Sequence, residues 1–158
     1  MKIFHLNIND SLLQSVKEIS KPWGCYVLYQ NTPISRLGGT DAKGILYIGK
    51  ADNLYNRVAS LQKSVLKNCN NNDKVKMGGH QSLSKKVFRI QRFLDVSKMT
   101  IKIVVLPTYE SILYTESYLL EDYVNQFGEL PPLNGQYGNY EFNDAKQYLE
   151  MNNIKFEV

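Results

Sequence analysis

The apolar, β-branched run MTIKIVVL at residues 99–106 constrains the fold more than any other segment of the sequence. Its composition is typical of a buried strand, and Pro107 ends it. Residues 108–127 then repeat apolar side chains at helical spacing, which predicts a long helix directly after the strand. A strand followed at once by an amphipathic helix must share a core with that helix. The chain is therefore expected to form a sheet covered by helices.

The other predicted elements are shorter. Strands are expected at residues 2–6, 23–29 and 44–49, and helices near residues 12–19, 54–61, 83–94 and 144–151. Asp52 is placed to cap the second of these helices. Residues 31–43 predict a hairpin-type loop, and the polar residues 68–79 predict an exposed and mobile one. This order of elements predicts the α/β (α+β) class, in a single domain over residues 1–158.

Composition excludes several classes of protein. The chain has 158 residues, of which 43% are hydrophobic and 22% charged, so intrinsic disorder and fibrous repeats are poor interpretations. No window approaches an apolar membrane span and no secretion signal is evident, so no membrane association and a cytoplasmic location are expected. Cys25 and Cys69 lack the spacing of a zinc site and are expected to be free thiols. The net charge of +4 permits a nucleic-acid partner without requiring one.

Two charged residues lie within or beside apolar helical stripes. Glu116 stands in the stripe of the helix at 108–127, four residues after Ile112 and four before Leu120. A carboxylate on a core face is costly unless it is paired, hydrogen-bonded or bound to a metal ion. Arg57 lies at the edge of the stripe that follows Asp52, and its guanidinium suits a carboxylate or a phosphate. The two residues could form a structural ion pair, or they could belong to a site.

A glycine accompanies a tyrosine in each of two predicted strands. Tyr26 follows Gly24 by two residues, and Tyr47 precedes Gly49 by two. Residues two apart share a face of a strand, so each tyrosine lies beside a bare patch that a substrate could approach. The alternative is that both are ordinary core or rim tyrosines.

Together these residues resemble the signature of the GIY-YIG nuclease family. The segments that match this signature are Gly24-Cys25-Tyr26, Tyr47-Ile48-Gly49 and the run KADNLYNR that ends at Arg57. Glu116, followed by an apolar pair, and Asn134, after Pro131-Pro132-Leu133, match the later positions of the pattern. Cys25 departs from the family's isoleucine, and the 21 residues from Tyr26 to Tyr47 are about twice the common gap. The resemblance covers about residues 23–134.

This resemblance implies a small, mainly antiparallel three-stranded sheet flanked by helices, with N- and C-terminal additions. It also implies hydrolysis of DNA phosphodiester bonds with one divalent metal ion, Mg²⁺ or Mn²⁺. Glu116 would be the metal ligand and Arg57 would stabilise charge on the phosphate. Tyr26 would activate or position the attacking water, and Tyr47 would hydrogen-bond nearby. An ordinary tyrosine pKa near 10 suits a base poorly, so His80 is a candidate for assisting. Otherwise His80 caps a helix or faces solvent.

Two residues of the pattern are expected to support the site rather than react. These are Gly49 and Asn134, the latter by tying its loop to the core. The predicted DNA surface consists of basic side chains that suit phosphate contacts or, alternatively, form a solvated face. They are Lys63, Lys67, Lys74, Lys76, Lys85, Lys86, Arg89 and Arg92.

The leading hypothesis is a stand-alone nuclease of the restriction or mobile-element type. A homodimer is compatible with cutting both strands. The alternatives are a non-cutting nucleic-acid-binding module with the same fold and a protein-interaction adaptor. The recognition sequence, the choice of DNA or RNA, the preference for duplex or branched substrates and the role of residues 135–158 stay open.

Overall fold

The computed structural model describes residues 1–19 and 22–156. The strands are β1 (Lys2–Asn7), β2 (Gly24–Tyr29), β3 (Ile34–Arg36), β4 (Gly39–Asp41), β5 (Ile45–Ala51) and β6 (Thr100–Val105). The helices are α1 (Gln14–Lys17), α2 (Leu54–Asn68), α3 (Gln81–Ile90), α4 (Tyr109–Phe127) and α5 (Phe142–Met151). Short 3₁₀ turns at Gln91–Phe93 and Val96–Lys98 connect α3 to β6.

The main sheet is antiparallel and has the strand order β1-β6-β2-β5. This sheet and its helices confirm the predicted α+β class. The sheet has four strands rather than the expected three, because the N-terminal strand pairs with β6 from Lys2 opposite Val105 to Asn7 opposite Thr100. Strands β3 and β4 form a separate hairpin within the long loop between β2 and β5.

Helices cover both faces of the main sheet, and the alternation of side chains along β2 divides two cores. Tyr26 and Leu28 pack on one face in the core that α2 and α3 complete. Cys25 and Val27 lie on the opposite face in the core that α4 completes. Successive residues of β2 therefore reach different helices, and from Tyr47 onward the same alternation in β5 decides which side chains face α2 and which face α4.

Strand β5 lies at one edge of the main sheet, and the segment after α4 forms hydrogen bonds with its outer side. The Leu133 backbone N–H donates to the Leu46 carbonyl at 2.9 Å. The Asn134 side chain then accepts from the Ile48 N–H at 2.9 Å and donates to the Ile48 carbonyl at 2.8 Å. The amide of Asn134 thus takes the place of a neighbouring strand, which confirms the prediction that it ties its loop to the core.

The structure differs from expectation at α1 and α2 and agrees with it at the start of α4. Asn53, not Asp52, caps α2 by accepting from the Asn56 N–H at 3.1 Å. Helix α1 spans only Gln14–Lys17 and is shorter than its apolar spacing predicts. The long helix begins as predicted, because Thr108 and Ser111 form a reciprocal capping box.

The segment 68–79 is held to the protein more firmly than its polar sequence suggests. Asn68 is buried and donates to the Lys76 carbonyl at 2.9 Å, while accepting from the Lys76 N–H at 2.8 Å. Asn71 is also buried, and its N–H donates to the Gln91 side chain at 2.9 Å. Most of the segment is exposed, as expected, while two buried asparagines fix its backbone.

Cys25 and Cys69 are free, as expected from their spacing, and both are buried. None of the helices in the described residues is both long and apolar enough to cross a membrane.

Candidate active site

A cleft of about 530 Å³ opens beside strand β5, between α2, α3, α4 and the segment that follows Leu133. Four of the five predicted catalytic residues line it, each from a different part of the fold. They are Tyr47 of β5, Arg57 of α2, His80 before α3 and Glu116 of α4. The fold thus brings together residues that are far apart in the sequence.

Tyr26 lies beneath the cleft rather than in its lining. Only 1% of the residue is exposed, and its hydroxyl accepts a hydrogen bond from Arg57 Nε at 3.1 Å. Burial raises the pKa of Tyr26 well above its usual value, although the Arg57 charge acts in the opposite direction. Tyr26 is therefore a neutral phenol at physiological pH, and its clearest contact is with the side chain of Arg57.

Tyr47 is the tyrosine that reaches the cleft. Its ring centroid lies 6.0 Å from that of Tyr26 and 6.4 Å from that of His80. Burial raises the pKa of Tyr47, and the nearby Arg57 charge lowers it in part. A Cβ at Gly49 would lie 2.6 Å from the Tyr26 hydroxyl oxygen and 2.8 Å from the Tyr47 ring. The glycine is needed here because the two tyrosines occupy the space of a side chain.

Arg57 is half-buried between these two tyrosines. Burial alone would lower the pKa of Arg57, but the Tyr26 and Tyr47 hydroxyls raise it above its usual value. The guanidinium is thus held as a fixed positive charge at the cleft, where it can contact an anion.

Glu116 enters the cleft from the other face of the sheet, and its carboxylate forms an ion pair with Lys50 Nζ. The side chain of Glu116 is 13% exposed and that of Lys50 is 28% exposed. The alternative of an Arg57–Glu116 ion pair is therefore wrong, since each residue has another partner. Lys50 is part of the motif KADNLYNR, which by itself suggests no role for this residue. Its position one residue after Gly49 places it on the α4 face, which is the signal that identifies it.

The cleft offers few groups that could bind a metal ion. Glu116 is the acidic residue of its lining, and the described parts of the chain contain no cluster of three His, Cys, Asp or Glu side chains. Mg²⁺ retains several waters and commonly uses one or two carboxylates together with substrate phosphates. The donor set therefore fits a Mg²⁺ ion shared between Glu116 and a substrate, and it does not fit a structural metal cage. Such an ion would compete with Lys50 for the carboxylate.

His80 both lines the cleft and caps α3. Its Nδ1 accepts from the Leu83 N–H at 3.3 Å and lies 3.0 Å from the Ser82 hydroxyl. Burial, followed by the charges of Arg57 and Lys86, lowers the pKa of His80. The hydrogen-bond pattern assigns the proton of the neutral ring to Nε2. In this tautomer His80 can donate a hydrogen bond into the cleft, whereas accepting a proton requires the cap to be given up.

Lys86 has a different place from the one expected for a DNA-contacting residue. Its Nζ donates to the carbonyls of Leu133 at 3.1 Å and Asn134 at 2.6 Å, and it lines the cleft. Burial lowers the pKa of Lys86. Lys86 joins α3 to the segment that covers β5, so its assignment to an exposed phosphate-binding surface is corrected to a role in the cleft wall.

The other predicted DNA-contacting residues are exposed, and one of them, Lys85, borders a shallow opening beside Arg57 and His80. The exposed set is Lys63, Lys67, Lys74, Lys76, Lys85, Arg89 and Arg92.

One wall of the cleft comes from residues for which the sequence suggested no role. Gly135, Gln136, Tyr137 and Asn139 all line it. The two glycines in GQYG, at positions 135 and 138, are the signal in this segment, since they permit close contact with neighbouring elements.

No protein-family model matches the chain, and neither curated proteins nor solved structures give a significant match. These comparisons therefore do not test the resemblance to GIY-YIG nucleases.

Proposed function

We propose that this protein is a divalent-metal-dependent endonuclease that hydrolyses DNA phosphodiester bonds. The observation that supports it is the meeting of Tyr47, Arg57, His80 and Glu116 in one cleft, with Tyr26 holding Arg57 from below. These residues occupy the positions that the GIY-YIG resemblance assigns to its site. Strands β6, β2 and β5 would be the family's three-stranded core, with β1 and α5 as additions.

Each residue has a role in this proposal that follows from its contacts. Glu116 would hold Mg²⁺ or Mn²⁺, which supplies Lewis-acid stabilisation of charge on the phosphate. Arg57 would bind a phosphate oxygen, with its orientation set by the Tyr26 hydroxyl. Tyr47 would hydrogen-bond the attacking water at the cleft surface.

The group that removes the proton from this water is either a tyrosine or His80. Tyr26 would need its pKa lowered and a route to the cleft, because its hydroxyl is buried. The lowered pKa of His80 keeps its ring neutral and so able to accept a proton, but its Nδ1 already accepts the hydrogen bond that caps α3. Its Nε2 can donate to a phosphate oxygen without any rearrangement, and that is the role we assign to it. The proton of the water would then pass to Tyr47 in its phenolate form, which the neighbouring Arg57 charge favours.

The test is cleavage of purified plasmid DNA with Mg²⁺ or Mn²⁺, compared with an EDTA control. Glu116→Gln keeps the size of the side chain and removes its charge, so cleavage is expected to fall by at least about 100-fold, as for loss of a key electrostatic group. Glu110→Gln is the matched control, because Glu110 is exposed in the first turn of the same helix. Equal cleavage by wild type and Glu116→Gln would contradict the proposal.

The Lys50–Glu116 ion pair favours a second candidate, a nucleic-acid-binding module that does not cut. A carboxylate already neutralised by a lysine has less tendency to bind a metal ion. Salt-sensitive DNA binding without cleavage, across diverse DNA sequences and both metal ions, would establish this alternative. Absence of both binding and cleavage would leave the protein-interaction adaptor.

A further inference from the structure

Tyr137 is an exposed aromatic residue inside the cleft. The residue is 61% exposed, yet it lines the same cleft as Arg57 and Glu116. Other tyrosines of the C-terminal region are stacked: Tyr114 packs against Tyr140 and Tyr148 at centroid distances of 3.9 and 4.0 Å. In the described residues, by contrast, no hydrogen bond or ring contact involves the Tyr137 side chain. Much of this ring is therefore available to a ligand.

The backbone that carries Tyr137 is fixed on both sides. Before it, Asn134 is hydrogen-bonded to β5 and its carbonyl accepts from Lys86 at 2.6 Å. After it, the N–H groups of Asn139 and Tyr140 donate to the Ser117 hydroxyl at 2.9 and 3.2 Å. The ring is thus presented from an anchored segment, which reduces the entropy lost when a planar ligand stacks on it.

Gly138 fixes the height of this segment above α4. A Cβ at this position would collide with the backbone of Ser117, which is the residue after Glu116. The glycine therefore lets the segment lie directly on the helix turn that carries the proposed metal ligand. Tyr137 directly precedes Gly138, so this contact holds Tyr137 close to the helix turn that carries Glu116.

We propose that Tyr137 stacks on a nucleotide base next to the phosphate that lies in the cleft. This inference rests on the proposed function and adds a substrate preference to it. In an intact duplex the faces of each base are covered by its neighbours, so stacking on a side chain requires an unstacked base. The preferred substrate is accordingly DNA with an unpaired nucleotide beside the scissile bond, such as a gap, flap or mismatch.

The first test compares binding of intact and gapped duplex DNA with Ca²⁺ in place of Mg²⁺, by fluorescence anisotropy. Tyr137→Ala is expected to weaken binding to the gapped duplex about 5- to 150-fold, as for loss of one base–aromatic stack. Tyr137→Phe keeps the ring and should bind like wild type. Tyr109→Ala is the matched control, because Tyr109 is an exposed tyrosine outside the cleft lining. Its binding should be unchanged.

A second test identifies the contact directly. Gapped DNA with 5-iodouracil at the unpaired position is irradiated with the protein, and the cross-linked peptide is identified by mass spectrometry. A cross-link to Tyr137 supports the inference, and a cross-link only to other residues overturns it. Equal weakening by Tyr137→Phe and Tyr137→Ala also overturns it, because the hydroxyl and not the ring would then bind.

These outcomes separate the inference from the proposed function. If wild type cuts DNA and Tyr137→Ala binds the gapped duplex as wild type does, only the stacking inference fails. If wild type does not cut but shows the selective loss with Tyr137→Ala, the stacking inference stands for a binding module. If wild type binds no DNA, both fail.

Discussion

The buried hydroxyl of Tyr26 contributes to the cleft through Arg57. Its oxygen accepts from Arg57 Nε, while its ring completes the core below. A side chain that sets the direction of another can affect a reaction strongly, because small errors in position are costly. The contact also depends on Gly49, which leaves room for the ring.

Tyr26→Phe removes this acceptor and keeps the ring. We expect a loss of about 1 kcal/mol in the free energy of unfolding, as for one buried hydrogen bond. We also expect a fall of about 10- to 100-fold in the DNA cleavage rate, because Arg57 loses the hydrogen bond that orients its Nε. The measurements are urea denaturation and plasmid cleavage.

Tyr123→Phe is the control for this prediction. Tyr123 donates a buried hydrogen bond to Asp41 at 3.1 Å on the opposite face of the sheet. Its loss should reduce stability without slowing cleavage. An equal effect of both substitutions on the cleavage rate would show that Tyr26 acts through stability alone.

The capping contact of His80 predicts a pH dependence of stability. The native state holds the pKa of His80 below its usual value, chiefly by burial. The unfolded chain therefore binds more protons as the pH falls below about 6.5, and the contribution of His80 to stability is lost toward the lower native pKa. Urea midpoints should fall between about pH 7 and pH 5, and fall less in His80→Asn, which retains a capping side chain.

His5→Asn serves as the control for this experiment, since His5 is exposed on β1 and caps no helix. It should leave the pH dependence of the urea midpoint as in wild type. An unchanged pH dependence in His80→Asn would refute the assignment.

The sequence marks Glu116 and Arg57 as unusual, but it leaves open whether they pair with each other or belong to a site. Helical periodicity shows which face of its own helix a residue occupies. It does not show which strand side chain meets that face. The partner of Glu116 is identified by the alternation of side chains along β5. This alternation puts Lys50 on the face of the strand opposite to Tyr47, toward α4. The partner of Arg57 depends on the opposite face of β2, which carries Tyr26.

Among the elements, β5 depends on a loop for its second set of hydrogen bonds. Leu133 and Asn134 supply bonds that a neighbouring strand would otherwise make. Lys86 reinforces this segment from α3 through two carbonyl contacts. One asparagine side chain therefore connects the sheet edge to the cleft wall.

Asn134→Ala removes both side-chain bonds to Ile48 and leaves backbone groups of β5 without partners. We expect a loss of about 1–3 kcal/mol in the free energy of unfolding, measured by urea denaturation. Asn139→Ala is the control, because the Asn139 side chain is exposed and only its backbone is bonded. A loss below about 0.5 kcal/mol in Asn134→Ala, the range of an ordinary surface substitution, would contradict this role.

The sequence predicts the strands and helices that have a strong local signal, but it does not predict which other elements they pair with. The run at 99–106 and the helix at 108–127 agree with β6 and α4, because β-branched residues, Pro107 and a Thr108 cap mark their ends. The strand at residues 2–6 was also predicted. Its pairing with β6 joins residues about a hundred positions apart, which no local pattern specifies.

For the whole molecule, the charge distribution predicts how DNA binding responds to salt. Lys85 and Arg89 are exposed on α3 next to the cleft wall, whereas Lys86 is engaged in that wall. Each exposed side chain that contacts a phosphate should contribute about one to the slope of log Kd against log salt concentration. Lys85→Ala and Arg89→Ala should each reduce the slope by about one.

Lys146→Ala is the control for these variants, because Lys146 is exposed on α5, away from α3. It should leave the slope unchanged. The slopes are measured from anisotropy titrations at several salt concentrations. Slopes equal to that of the wild type in all three variants would mean that the DNA binds to another surface.

The fold class and four cleft residues could be predicted from the sequence, but one wall of the cleft could not. Residues 135–139 have no helical or strand periodicity that would fix their position. Their path is set by contacts with Lys86 and Ser117, which lie far away in the sequence. Loops positioned by such contacts become visible only when the whole molecule is assembled.

The covered edge of β5 also limits how two copies of the chain could associate. An outer strand with free backbone groups is a template on which another strand can extend the sheet. On β5 that position is filled by Leu133 and the Asn134 amide, next to the cleft. Continuous-sheet dimerisation through β5 would require this segment to be displaced and the cleft wall dismantled. Extension of the main sheet between two copies is therefore left to its far edge, at β1, which leaves both clefts of such a pair intact.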